Sequence, residues 1–594
     1  AERESAVVPA AAPAQAPAAA TVAAASPGAE GEMEVDAHAE DKEGGITAAG
    51  AAEHLRALTA RPPVSMHVQL LFAMLSIFLE RTLIDFTFLK VFFAQEVATC
   101  YSAEAKADIL AYFLKPEGGP RARVSSEETV VALQLLILPM LRAAVAQGQQ
   151  MDVLTPEILW AIVTQLLDPV ASYGETMKVE LLRLSTLLIE SVPARLVDHR
   201  KDLIKFAWNH LKSDDTLSKQ CAYVNVCHFI SQYETPSKII LQVYVALLRT
   251  FQVDARPLVR QALDILTPAL PRRLPAGDHR YPTWIKWTKK IIVEEGHSLP
   301  QLIHIWQLVI RHPDLFFSSR AQFVPQMVNS LNRIGLTANT SADNRKLAVE
   351  LTALIIAWER QRQEQAGGAA GAPQQGVKRP AEGADAGADS KRARLEGGSA
   401  VATAAGGSGS GAPTPGGGGA GASSAMPSEE DFRPSAAIVE IVVNFLIRIS
   451  LVAGTETPSA GGSAAANAAA QAAAAKAGNA LAGQAGGLLH SALNLWPEAN
   501  VKFAYFEKQL SIATDQVSAR LAVLRVLHTV VACQPKFALR HLAGMHSLLQ
   551  PIFSPNSGQT KVIQAVCALL GTLMQTLSEA PSDAQAAASG GGDA

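Results

Sequence analysis

Apolar residues recur along this chain at helical spacing, in one short stretch after another, and this constrains the fold more than any other feature. Between residues 283 and 312, Trp284, Trp287, Ile291 and Ile292 fall on one helical face, and Lys286, Lys289 and Lys290 occupy another. Gly296 is placed to stop that helix in the left-handed conformation. Ser298 and Gln301 then have the S-x-x-Q spacing of a capping box. Leu302, Ile305, Trp306 and Val309 form the next apolar stripe, which ends before Pro313. A turn this short sets the two helices roughly antiparallel.

The same grammar repeats. Thr235 and Pro236 open a helix carrying Ile239, Val243, Leu247 and Phe251. Leu258, Val259, Ala262, Leu263 and Leu266 form another, closed by Pro268, and Ser341 starts one with Leu347, Leu351, Leu354, Ile355 and Trp358. About twenty such helices are expected, with no strand pair. At 594 residues the chain exceeds what one core serves, roughly 250–300 residues. Paired helices continued over this length predict an all-α, HEAT/armadillo-like solenoid with long disordered low-complexity linkers. Its units should run to ~40 residues. No strict sequence repeat marks the period, so a large globular helical domain is the competing architecture.

Composition divides the chain. Residues 1–62 are Ala/Pro-rich and then acidic, 366–434 are Gly/Ala/Pro/Ser-rich, 455–486 form an Ala/Gly-rich insert and 579–594 a polar, glycine-rich tail. Such segments bury too little apolar surface to offset ordering entropy, so they are expected to be disordered. The alanines of the insert favour transient helix. Helical blocks are expected at 63–365 and 487–578, with a helix at 435–454 continuing the solenoid.

The net charge of −3 argues against a general nucleic-acid binder. The five cysteines are scattered without a CxxC pair, which fits reduced thiols better than a disulfide framework or zinc site. The start lacks the basic and leucine-like parts of a signal peptide. The best apolar run, Val68 to Leu79, falls short of the ~20 residues of a membrane span.

Several runs resemble the TRRAP family. They are EVATCYSAEAKADILAYFL (Glu96–Leu114), QVDARPLVRQALDILTPALPRR (Gln252–Arg273), WTKKIIVEEGHSLPQLIHIWQLVIRH (Trp287–His312), NRKLAVELTALIIAWERQR (Asn344–Arg362) and IVVNFLIRI (Ile441–Ile449). The order holds across residues 65–578; the Ala/Gly inserts depart from the pattern, and Val501–Leu577 matches less closely. The resemblance implies a very large, nuclear relative of the phosphatidylinositol-3-kinase-like kinases, whose kinase-like domain has lost its catalytic residues. It implies a scaffold in SAGA-type histone acetyltransferase complexes that receives transcription activators. This chain would be an internal part of the HEAT region, short of the FAT and kinase-like parts.

The residues themselves carry little chemistry. Glycine-rich phosphate loop, HRD-type base and DFG are all missing; His199-Arg200-Lys201 and Asp278-His279-Arg280 are scrambled fragments. His297, His304 and His312 lack metal-ligand spacing and suit packing or solvent. Asp214-Asp215 and Glu294-Glu295 are neighbours that point apart on a helix. No catalytic residue, cofactor, metal, small-molecule substrate, membrane or sequence-specific nucleic acid is expected. Lys378-Arg379 and Lys391-Arg392-Ala393-Arg394, separated by a spacer, have bipartite nuclear-import character and imply an import receptor. The candidate docking patch for activators and complex subunits is Lys286, Lys289 and Lys290, set against the plainer reading of a solvated face. Two alternatives to the scaffold remain: an importin/exportin-like transport receptor, and the regulatory HEAT region of an active kinase. A marked acidic excess would favour the first, and intact downstream catalytic residues the second.

Overall fold

A computed structural model describes residues 48–59, 65–80, 87–115, 126–167, 173–274 (except 253 and 255), 281–370 (except 338 and 339), 432–453, 464–513, 516–553 and 560–578. Every regular element among them is helical. The first group comprises α1 (Ala48–Thr59), α2 (Met66–Glu80), α3 (Thr87–Phe92), α4 (Ala103–Leu114), α5 (Ser126–Ala132), α6 (Leu138–Ala146), α7 (Gln150–Val153) and α8 (Pro156–Ala161). Wide π turns follow three of them, at Phe93–Cys100, Leu133–Ile137 and Ile162–Leu166.

From Glu175 the helices alternate between two rows. In order they are α9 (Glu175–Ser191), α10 (Arg200–Leu211), α11 (Thr216–Gln232), α12 (Ser237–Arg249), α13 (Arg256–Arg273), α14 (Thr283–Glu295) and α15 (Leu299–Arg311). A short α16 (Pro313–Phe317) precedes α17 (Arg320–Gly335) and α18 (Ala342–Ala370). One row stacks α9, α11, α13, α15 and α18 in succession; α12, α14 and α17 form the other. Starts along the first row lie 41, 40, 43 and 43 residues apart. The period expected from HEAT-like pairing is therefore present in space although the sequence hides it.

The stack continues past residues 371–431 without a change of core. α19 (Ala436–Ala453) packs on α17 and α18, and α20 (Ala464–Leu495) on α18 and α19. α21 (Phe503–Ile512), α22 (Val517–Cys533), α23 (Pro535–Arg540), α24 (Leu542–Leu549) and α25 (Thr560–Ser578) complete the described chain, with α22 between α20 and α25. One apolar cluster runs from Ala207 to Leu573, and a second from Val68 to Tyr233. They meet at α11, where Cys221, Ala222 and Phe229 face one and Val226, Cys227 and Ile230 the other. A helix buried on both sides is what a middle layer of a stack requires.

Side-chain hydrogen bonds bridge neighbouring units at about one period. Ser218 Oγ donates to Glu175 (3.2 Å), Arg273 to the Ser231 carbonyl (2.9 Å), Arg311 to Asp264 (2.7 Å), and Tyr244 pairs with Thr288 (2.8 Å). His528 and Thr572 repeat the pattern near the end (2.8 Å). Each bond is worth about 0.5–1.5 kcal/mol net, against about 1.5–3 kcal/mol for each large apolar side chain buried. The apolar rows thus supply stability, and the polar rungs fix the register of one unit on the next.

Several local expectations change. α13 is not closed by Pro268 but runs through Pro268 and Pro271, both solvent-facing, because Val259, Leu263, Leu266 and Leu270 are packed on the other side. Phe251 lies beyond the end of α12, and Pro236 precedes its first turn. Gly296 has right-handed backbone (φ −65°), not left-handed. The expected boundary between insert and block at 486/487 falls inside α20, whose Ala485, Leu489, Ala492 and Leu493 are buried. α1 occupies the end of the segment 1–62, and α18 extends into 366–434; the remainder of 1–62, residues 371–431 and all of 579–594 lie outside the described residues. Among the described residues, Glu127–Ala146 and Thr560–Ser578 are long and apolar enough by composition to cross a membrane, whereas the run from Val68 to Leu79 lies in a shorter apolar helix. Leu133, Leu136, Ile137, Met140 and Leu141 of the first are buried in the protein core. Val562, Val566, Leu569 and Leu573 of the second are buried on the side where it packs on α22.

Candidate docking surface

The lysine patch lies on α14. Trp284, Ile285, Thr288, Ile291 and Ile292 turn inward, and Lys286, Lys290, Val293 and Glu294 are exposed. Trp287, expected on the inner face, is half-buried, and the Lys290 ammonium lies 4.8 Å from its ring centre. Lys290 also approaches Glu294 at 3.8 Å, with both side chains about half exposed. An exposed pair of this kind is worth only ~0.2–1 kcal/mol.

Lys289 is used differently. Its ammonium donates to Gln322 Oε1 on α17, and Gln322 Nε2 donates to the Tyr281 hydroxyl (2.6 Å). It therefore ties neighbouring units together while Lys286 and Lys290 share the exposed face. Thr288, not singled out in the sequence, bonds Tyr244 of the previous unit. Its partner lies 44 residues away, beyond any local window.

The other candidates are dispersed. His304 is buried against the Leu247 carbonyl (3.1 Å), His312 bonds Asp264 (3.0 Å), and His297 is exposed. Asp215 caps α11 by accepting from the Ser218 amide (2.7 Å), and that bond holds its carboxyl below the usual range. Glu295 pairs with Arg249 across units (2.7 Å). Among the described residues no group of three or more His, Cys, Asp or Glu is placed to hold a metal ion. The import motif Lys378, Arg379, Lys391, Arg392 and Arg394, and the Asp278-His279-Arg280 fragment, lie outside the described residues.

The stack also matches known proteins. A family model described as the Tra1 HEAT repeat ring region covers residues 53–590. The chain belongs to the TRRAP/Tra1 family. A Dictyostelium discoideum relative, "Probable transcription-associated protein 1", is 35% identical over 542 residues, 86% of this chain and 11% of that protein. The Danio rerio "Transformation/transcription domain-associated protein" is 30% identical over 568 residues, 88% of this chain and 14% of that one. The Saccharomyces cerevisiae "SAGA complex/NuA4 acetyltransferase complex subunit TRA1" is 42% identical over 190 residues, 32% of this chain and 5% of that one. The matched region thus spans 5–14% of the length of these TRRAP/Tra1 relatives. Among solved structures, Kap121p gives a TM-score of 0.31 at 12% identity over 89% of this chain and 41% of that one, a likeness too slight to separate one helical solenoid from another.

Proposed function

We propose that this chain is a non-catalytic scaffold segment of a large transcription coactivator subunit. That subunit assembles in the nucleus into a SAGA/NuA4-type histone acetyltransferase complex. The observation that carries the reading is the Tra1 HEAT-ring match along nearly the whole chain, with relatives named as transcription-associated proteins and as SAGA/NuA4 subunits. Two rows of helices suit the role, since each unit exposes helix surface at a fixed spacing to protein partners. Lys286 and Lys290, flanking the half-buried Trp287, are the part of the predicted patch that faces solvent, and they form our candidate seat for acidic transcription activators. Lys378, Arg379, Lys391, Arg392 and Arg394 are the candidate contact for an import receptor.

The test is affinity purification of the tagged full-length protein from nuclear extract. The proposal expects acetyltransferase subunits and nucleosome-acetylating activity to co-purify, and recovery of the protein free of both would contradict it. In the same cells, replacing the five basic linker residues by Ala should move a linker–reporter fusion to the cytoplasm. Unchanged nuclear accumulation would remove the import reading alone.

A further inference from the structure

An open groove of about 400 Å³ crosses three neighbouring helices of one row. Glu190 of α9 stands at one rim, His228 of α11 lies in the floor, and Pro257, Arg260, Asp264 and Ile265 of α13 line the other side. His228 is only 9% exposed. Its carbonyl accepts from Ser231 Oγ (2.7 Å), yet among the described residues its ring has no hydrogen-bond partner. A buried polar group is ordinarily paired, and a ring in a groove floor can take its partner from whatever enters the groove. Burial pushes its pKa down against the pull of Glu190, so near neutral pH the ring is uncharged and offers one N–H.

The charges at the groove divide by element. Asp264 is already engaged by Arg311 (2.7 Å) and His312 (3.0 Å). Arg256 and Arg260 are exposed one turn apart on α13, and among the described residues neither has an ion-pair partner. Glu190, exposed on α9, is likewise unpaired among the described residues. The α13 side is therefore cationic and the α9 side anionic, a polarity that an occupant has to match.

We propose that this groove is the docking site of the chain's own acidic segment, residues 30–43. That segment lies outside the described residues, and its sequence carries the complementary charges in the complementary order. Glu32, Glu34 and Asp36 alternate with Met33 and Val35. In an extended chain the three carboxylates share one side, where they can meet Arg256, Arg260 and the His228 N–H, and the apolar pair can cover Pro257 and Ile265. The one basic residue, Lys42, follows at the other end and matches Glu190. From Glu34 to Lys42 an extended chain spans ~26–29 Å. α9 and α13, with α11 between them, lie ~16–20 Å apart at 8–10 Å for each helix contact, so both ends can be held at once. The tether agrees. Residues 44–47 join the segment to α1, which packs on α8, the helix before α9, with His54 stacked on Trp160 (5.9 Å). The Lys42 end is thus anchored on the α9 side, and the acidic end reaches toward α13. Docked there, the segment keeps acidic peptides of other molecules out of the groove.

The test uses the full chain and a fluorescein-labelled peptide of residues 28–45, read by anisotropy. In a neutralised variant, Glu30, Glu32, Glu34, Asp36, Glu40, Asp41, Lys42 and Glu43 are replaced by Asn or Gln. The intact chain should bind the peptide roughly tenfold more weakly than this variant, because a tethered segment competes at high effective concentration. In the variant, Arg256→Glu and Arg260→Glu, both exposed changes, should each weaken binding several-fold with an unchanged melting curve, and added salt should act in the same direction. His228→Phe, which keeps a ring and removes the N–H, should weaken it as well. Glu190→Lys should do so too, and a peptide carrying Lys42→Glu should restore it, which fixes the direction of the segment. Equal affinity for the intact and neutralised chains, or affinity indifferent to Arg260→Glu, would overturn the proposal. So would an intact chain that binds phosphoserine or unrelated acidic peptides as tightly as the variant does, which would give the groove to a partner molecule.

Discussion

The polar residues that matter most here are those whose partners lie in another unit. Lys106 is fully buried on α4, and its ammonium donates to Gln147 Oε1 (2.7 Å) and Gln149 Oε1 (3.0 Å) across the turn that holds Gly148 at φ 72°. Lys106→Ala should cost about 2–4 kcal/mol, from lost packing and the loss of its bond to half-buried Gln149, measured as a lower urea midpoint. His304 offers a pH test. Burial, with Arg311 and Arg256 nearby and against the Leu247 hydrogen bond, pushes its pKa down to about 4. Below about pH 6.5 the unfolded chain takes up a proton that the folded chain refuses until about pH 4. Stability from this residue is therefore complete above that window and lost through it, by on the order of 3 kcal/mol at the acid end. His304→Gln, which does not titrate, should show a smaller loss between pH 7 and pH 4.5. The apolar members of the α14 and α15 stripes were legible in the sequence because helical spacing is local. The polar rungs were not, because Tyr244 and Thr288, or Asp264 and Arg311, meet only once two units stack.

At the scale of elements, the sequence located helices better than their ends. Ser298 and Gln301 have capping-box spacing, yet Ser298 makes no side-chain cap bond and Gln301 is buried, donating instead to the Leu248 carbonyl on α12 (2.6 Å). A tertiary partner outcompeted the local one. Ser341, with no such rival, does accept from the Asn344 amide (3.2 Å) as expected. α20 shows the reverse case. An alanine-rich stretch that looked unable to fold alone forms one helix because its C-terminal half is covered by α19 and α22. The contact that docks the chain after residues 371–431 is equally local: a Cβ on Gly335 of α17 would meet Ala348 Cβ at 2.9 Å and Phe445 at 3.0 Å. Gly335→Ala should therefore destabilise the stack by about 1–3 kcal/mol through overpacking. A matching drop in the cooperative melt checks this, and an unchanged melt would mean that α17, α18 and α19 are not seated this closely.

For the whole molecule, one core passes from α17 and α18 to α19 and α20 irrespective of the long segment between them. Deleting residues 374–430 should accordingly leave helical content and melting temperature nearly unchanged, as circular dichroism will show. The family was legible from short ordered runs, while the repeat period was not, because units that diverge in sequence keep only their helix spacing and apolar faces. Lysine cross-linking of the purified full chain, read by mass spectrometry, tests that stack most directly. Links in the ordered chain should join lysines within one unit or one period apart, such as Lys178 on α9 and Lys219 on α11, with pairs straddling 371–431 as the exception. Abundant links between units several periods apart, Lys178 on α9 to Lys346 on α18 for example, would contradict the two-row solenoid and restore the globular alternative.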